Sequence, residues 1–245
     1  MNNILAIGDS HIELLDTGWS YMEEAGLPEA HKINAAVLHG ATITGLGRRN
    51  STLQARDQVL SLAKQSKVLV LGFGQVDVEV GYYYRKVVKE EQWTWDDFSF
   101  FLISQYQGFL RELKTKLGPK TIIVKGINLP VIKAKKVFLE YVSGRVTENF
   151  ETPLDKREVI ATLTHVVDDY NTRINMALDI NEKLKKLSDK LCCGYFDVNN
   201  ILCDGQPSAG YPDQVLPADG DHHLVKSKKV KDVHIRSLMD QLSVR

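Results

Sequence analysis

The sequence predicts one α/β domain built on a parallel sheet with helices on both faces. Three observations carry this. Five short apolar runs alternate with helix-length amphipathic stretches along the 245 residues. The runs are almost continuously apolar, which suits strands covered on both faces better than half-exposed ones. No internal repeat, low-complexity tract or linker divides the chain, so residues 1–245 read as a single unit.

Ile4 to Ile7 is the first buried-type strand. Ile12 to Ala25 reads as a helix, with Leu14, Leu15, Trp19 and Met22 at helical spacing. Ile33 to Leu38 is the second strand, and Ser51 to Lys64 a helix that Ser51 can cap. Val68 to Leu71 is the third strand. Phe98 to Leu117 is a helix with Phe101, Leu102, Tyr106, Leu110, Leu113 and Leu117 on one face, stopped by Gly118-Pro119. Ile122 to Val124 is the fourth strand. Arg157 to Leu191 carries one long helical pattern through Ile160, Leu163, Val167, Tyr170, Ile174, Leu178, Leu184 and Leu187. Tyr195 to Val198 is the fifth strand, and Val230 to Leu242 a closing helix.

Two stretches exceed minimal α/β wiring and read as insertions: residues 81–97, rich in Tyr, Trp and charge, and the long connection at residues 129–154. Connections of that length are usually functional or mobile. Packed surface decoration is the plainer reading.

Apolar residues make up 43% and charged residues 25%, which excludes a disordered or collagen-like chain. Lys plus Arg is 31 and Asp plus Glu is 31, so there is no basic excess of the kind that holds nucleic acid by its phosphates. The apolar runs fall far short of the ~20 residues that span a bilayer. The three cysteines, Cys192, Cys193 and Cys203, are odd in number and clustered, against both a disulfide framework and a zinc site. Reduced thiols and no leader-like pattern ahead of the first strand point to a cytoplasmic protein.

In an open parallel sheet, ligands bind beyond the carboxyl ends of the strands. The residues there are Gly8-Asp9-Ser10-His11, His39-Gly40-Ala41-Thr42, Gly72-Phe73-Gly74-Gln75-Val76-Asp77 and, before the last helix, Asp219-Gly220-Asp221-His222-His223-Leu224. These are the parts of a Ser-His-Asp acyl-transfer site. Ser10 is the candidate nucleophile at a strand-to-helix turn. A serine hydroxyl needs a base to take its proton, and His222 is that candidate. Asp219, three residues earlier, is placed to hold its tautomer. His223, paired with Asp219 or Asp221, is the alternative. The Ser10 N–H, the Gly40 N–H and the Gln75 amide are the oxyanion candidates. Asp9, His11, Asp77, His223, Tyr83 and Arg85 flank these blocks as candidate substrate contacts. His31, His39, His165 and His234 read as ordinary polar residues. A dinucleotide site would want Gly-x-Gly-x-x-Gly after the first strand, and Gly8 to Glu13 does not supply it.

Over nearly its whole length this set of blocks resembles the SGNH hydrolases, the GDSL-type esterases and lipases. Gly8-Asp9-Ser10 matches their nucleophile block and Gly40 their oxyanion glycine. Gly72 to Asp77 matches the block usually written Gly-x-Asn-Asp, and Asp219 to His222 their Asp-x-x-His block. The resemblance implies a three-layer α/β/α sandwich around a mainly parallel five-stranded sheet. It implies a serine esterase or acyltransferase acting through an acyl-enzyme on a small O-acyl ester, acetyl on a carbohydrate above all, with no metal or organic cofactor. A catalytically weak binding protein on the same fold is the alternative. The Gly-Ala-Thr stretch and the aromatic segment are similar to a bacterial subgroup associated with polysaccharide biosynthesis loci. That segment, Tyr82 to Trp95, would stack on a sugar, cover the site or form a homo-oligomer contact. The sequence departs from the family pattern twice: Gln75 stands where Asn is usual, and the histidine is doubled.

Overall fold

The structure is a computed structural model that describes residues 4–18, 32–48, 51–148, 150, 153–217 and 221–243. Five parallel strands form one sheet: β1 Ile4–Gly8, β2 Ile33–Val37, β3 Val68–Gly72, β4 Thr121–Lys125 and β5 Gly194–Phe196, in the order β2-β1-β3-β4-β5. Ile7, Leu69, Val70, Leu71 and Ile123 are fully buried, as their unbroken apolar runs require. The first crossover runs from β1 to β2 on one side, and the chain then returns to β3 on the other. The carboxyl ends of β1 and β3 are therefore the switch point of the sheet, where a crevice opens.

The helices are α1 Ile43–Gly47, α2 Ala55–Leu62, α3 Tyr82–Val87, α4 Trp95–Leu117, α5 Lys135–Val146, α6 Pro153–Val166, α7 Tyr170–Lys190, α8 Asn199–Leu202 and α9 Lys228–Ser243. Helices α4 and α7 pack on each other, with α1 against α4. Helix α9 packs on β5 and on the short 3₁₀ helix Ser10–Leu15. Among the described residues, no helix is long and apolar enough to cross a membrane.

Several element boundaries differ from the sequence reading, each for a local reason. The helix expected from Ile12 is the 3₁₀ turn Ser10–Leu15, which ends at an extended Asp16. Thr17 then ties the chain to β2: its N–H donates to the Ile33 carbonyl at 3.2 Å and its hydroxyl accepts from the Ile33 N–H at 2.8 Å. The Trp19 and Met22 part of that helix lies outside the described residues, as does His31. Ser51 does not cap α2; Gln54 takes the N-cap position in a left-handed conformation without a side-chain cap bond, and the Ser51 hydroxyl is buried without a partner. Helix α4 begins three residues earlier than expected, because Thr94 and Asp97 form a reciprocal capping box, an arrangement typically worth about 1 kcal/mol. The long pattern from Arg157 to Leu191 is two helices. Asp169 caps α7 by accepting from the Thr172 N–H at 2.9 Å, and Asp168 accepts from the Tyr83 hydroxyl at 3.1 Å, so the chain breaks between them and Val166.

Both insertions contain regular structure among their described residues. Residues 77–87 run as a π-helical turn into α3. Tyr82, Trp95 and Phe98 meet edge-on or tilted with centroids 5.3–5.9 Å apart, and the Trp95 indole donates to Asp179. This aromatic segment packs inward on the domain, so it does not present the open stacking platform expected for a sugar. The connection at residues 129–154 contains α5, which buries Phe138, Val142 and Val146 at intervals of four.

Candidate active site

Ser10 opens the 3₁₀ helix just beyond β1. Its position is fixed by a close approach of two strands: Asp9 N–H donates to the Gly72 carbonyl at 3.1 Å, and a Cβ on Gly8 would lie 2.1 Å from that same oxygen. Only glycine fits there. Asp9 caps the helix, accepting from the His11 N–H at 3.0 Å.

The Ser10 hydroxyl lies 2.7 Å from Nε2 of His223, and Nδ1 of His223 lies 2.9 Å from Asp221 Oδ1. Asp221 also accepts from the His223 backbone N–H at 3.3 Å, so the carboxylate folds back over its own loop and fixes the ring. This corrects the expected pairing. His223, not His222, faces Ser10, and Asp221 is its carboxylate. Asp219 lies outside the described residues. The His222 ring turns away and stacks on Tyr141 of α5 at 4.7 Å, with its Nδ1 3.1 Å from Asp221. The two rings lie side by side with centroids 3.8 Å apart and both Nδ1 atoms on Asp221, and only His223 meets the Ser10 hydroxyl.

Charge is distributed unevenly over the three histidines. Burial is the largest influence on His11 and disfavours its charge, but the hydrogen bond and charge of Asp9 outweigh it and leave His11 above the ordinary imidazole range. Geometry agrees. Nδ1 of His11 faces Asp9 Oδ1 at 3.1 Å and Nε2 faces the His222 carbonyl at 3.4 Å, so both ring nitrogens meet acceptors and both are served only by the imidazolium. Burial, then the neighbouring His11, holds His223 below the ordinary range against the pull of Asp221. Burial and the charges of His223 and His11 push His222 down to about 4.

Gly40 sits in the turn after β2 at φ +69°, a conformation that favours glycine. Its N–H and that of Ser10 make no hydrogen bond to the described residues. Asp77 holds this turn from behind. Its carboxylate accepts from the Ile43 N–H at 2.6 Å, the Thr44 N–H at 3.2 Å and the Thr44 hydroxyl at 2.7 Å. Burial pushes it up to about 6 against those bonds.

Gln75 departs from its expected role. Its amide is buried and turned inward, donating to Glu79 Oε1 at 2.7 Å and to the Asn128 carbonyl at 3.3 Å, while its oxygen accepts from the Asn128 N–H at 2.8 Å. Both amide hydrogens are engaged, leaving none for an oxyanion. Four of the six flanking candidates also serve the framework. Asp9 and Asp77 are fully internal anchors. Tyr83 is buried on Asp168. Arg85 is paired with Glu91 at 2.8 Å and lies over the Trp93 and Phe101 rings. His11 and His223 alone join the Ser10 cluster. Tyr141 and the buried Glu79 and Arg173 were not among the candidates. Tyr141 could be found only by recognising α5, since no motif marks it.

No family model matches the sequence, and no curated protein sequence matches it significantly. Solved structures do match. The periplasmic domain of a lipopolysaccharide acetyltransferase from Salmonella ser. Paratyphi A aligns over 98% of this chain and 83% of its own, at 15% identity and a TM-score of 0.56. A protein from Streptococcus pneumoniae assigned as a platelet activating factor aligns over 98% and 84%, at 16% identity and 0.57. A protein of Parabacteroides merdae assigned as a GDSL-like lipase aligns over 100% and 96%, at 13% identity and 0.51. Shared topology across whole chains at such low identity speaks for the fold. The likeness is one of fold: this chain shares the α/β architecture of these structures, a GDSL-like lipase and an acetyltransferase domain among them.

Proposed function

We propose that the protein is a serine esterase or acyltransferase that moves a small O-acyl group, acetyl on a carbohydrate being the substrate class. The observation that carries this is the run of contacts from Ser10 Oγ to His223 Nε2 at 2.7 Å and from His223 Nδ1 to Asp221 at 2.9 Å. Nucleophile, base and orienting carboxylate stand in sequence at the sheet's switch point. His223 takes the Ser10 proton as Oγ attacks the acyl carbonyl. The oxyanion meets the backbone N–H groups of Ser10 and Gly40. His223 then protonates the leaving alcohol, and water or a second hydroxyl releases the acyl group from Ser10. The acetyl and carbohydrate parts of the reading draw on the sequence resemblance and on the acetyltransferase domain among the structural neighbours.

One observation favours a second reading, a weak or inactive enzyme that binds the same ligand class. Gln75 supplies no oxyanion donor, and such a donor is typically worth about 2.7–4 kcal/mol of barrier. Labelling with a fluorophosphonate probe, read by peptide mass, separates the two. Modification of Ser10 that persists in His222→Ala and disappears in His223→Ala supports the esterase. An unlabelled wild type, beside a control esterase that reacts, supports the binding protein.

A further inference from the structure

Three imidazoles from two distant segments converge at the site, and the reaction above uses one of them. His222 and His223 ring centroids lie 3.8 Å apart, His11 and His223 4.5 Å, and His11 and His222 5.4 Å. One ring nitrogen of each lies within 4.8 Å of the others. His11 forms the buried floor of the group, while the other two side chains are partly exposed, at 16% for His222 and 23% for His223, so a small solute reaches them from solvent.

We propose that His11, His222 and His223 form a binding site for a divalent transition-metal ion of the zinc type, and that an ion there takes the base from Ser10. Imidazole is the commonest ligand for such ions. All three rings already carry the support that metal-bound imidazoles have, His222 through its Nδ1 at 3.1 Å from Asp221. Nδ1 of His11 rests on Asp9 at 3.1 Å and Nδ1 of His223 on Asp221 at 2.9 Å, and a carboxylate on the far nitrogen orients the ring and raises its basicity as a ligand. Those two carboxylates also offset the charge of the ion. A tetrahedral ion with bonds of about 2.0–2.1 Å holds its nitrogens about 3.4 Å apart. The group therefore closes by about an ångström on binding. Binding releases the His11 proton to solvent and breaks its Nε2 contact with the His222 carbonyl, and a fourth position stays open to water.

The consequence for activity rests on the esterase reading; the binding itself does not. The Nε2 lone pair of His223 is given to the Ser10 proton or to the metal, not to both. An ion at this site silences the nucleophile reversibly, and a chelator restores it.

The test is calorimetric titration of the whole protein with zinc, on wild type, His222→Asn and His11→Asn, beside fluorophosphonate labelling of Ser10 with and without zinc. The expected result is one saturable site in wild type, weakened at least tenfold in each variant. His222→Asn should label without zinc as wild type does, and zinc should no longer block it. Tetrahedral nitrogen bands from cobalt in place of zinc give a readout independent of activity. No saturable heat up to millimolar zinc, or equal affinity in all three proteins, overturns the site. Binding that leaves labelling untouched overturns its placement on the base. If Ser10 fails to label in every condition, the esterase reading falls and the calorimetry still decides the metal site.

Discussion

Gly8 and Gly72 face each other at the carboxyl ends of β1 and β3, so closely that a Cβ on Gly8 would lie 2.1 Å from the Gly72 carbonyl oxygen. The nucleophile turn begins at that contact. Gly8→Ala must push the strand ends apart, and overpacking of this kind typically costs about 1–3 kcal/mol. The expected outcome is a lower urea midpoint together with loss of Ser10 labelling, because the turn moves with the strand.

Asp221→Asn leaves His223 near Ser10 but offers it an amide in place of a carboxylate. Losing the orienting carboxylate of a serine triad typically lowers kcat by about ten-thousandfold. Asp221 is nearly half exposed, and water moderates the loss, so a fall of about a hundredfold or more is expected. Steady-state kinetics on a small acetyl ester measures it, with KM little changed.

The pH profile follows from His11. His223 accepts a proton only when neutral, and burial with the His11 charge keeps it neutral to below the ordinary imidazole range. The kcat/KM profile should therefore rise along an acid limb below about 6.5 and be flat at neutral pH. Asp221, Asp9 and Glu13 face His223 and pull the limb upward, while Asp9 and the buried Glu79 favour the charge on His11. In His11→Asn the cation is gone, and the limb should move to higher pH. An unmoved limb would mean that His11 is neutral in the wild type.

Gln75 separates framework from catalysis. If its amide faced the oxyanion, Gln75→Ala would slow turnover by about a hundred- to a thousandfold. With the amide engaged by Glu79 and Asn128, the expected effect is instead on stability. Leaving those buried groups without partners typically costs about 1–3 kcal/mol. Protein that remains folded should lose less than tenfold in the labelling rate of Ser10. Denaturation midpoints and labelling rates on the same samples check both parts.

The strands and the nucleophile turn were legible in the sequence because their signals are local: unbroken apolar runs, and Gly8-Asp9-Ser10 directly after the first. The choice of histidine was not. Counting Asp-x-x-His selects His222, whereas the fold of the loop is decided by Asp221 reaching its own second neighbour, a contact that spacing does not reveal. Gln75 misled for a similar reason. Its partner Glu79 is one helical turn onward, so the side chain is satisfied inside the protein. The break between α6 and α7 hid beneath an apolar pattern that continues in phase across Asp168 and Asp169. Helix α5 was visible only as Phe138, Val142 and Val146, too few positions to stand out within a long connection.

Asp77 has a consequence for engineering. Because it grips Ile43 and Thr44 from the β3 side, the segment from Leu38 to Thr42 is a cassette clamped at its downstream end. Within it, exchanges that reshape the substrate side of the cleft must keep glycine at position 40, the buried Ala41 and the Thr42 cap that accepts from the Gly45 N–H at 2.9 Å. Substitution of Asp77 itself removes the clamp on the residues that follow the Gly40 turn.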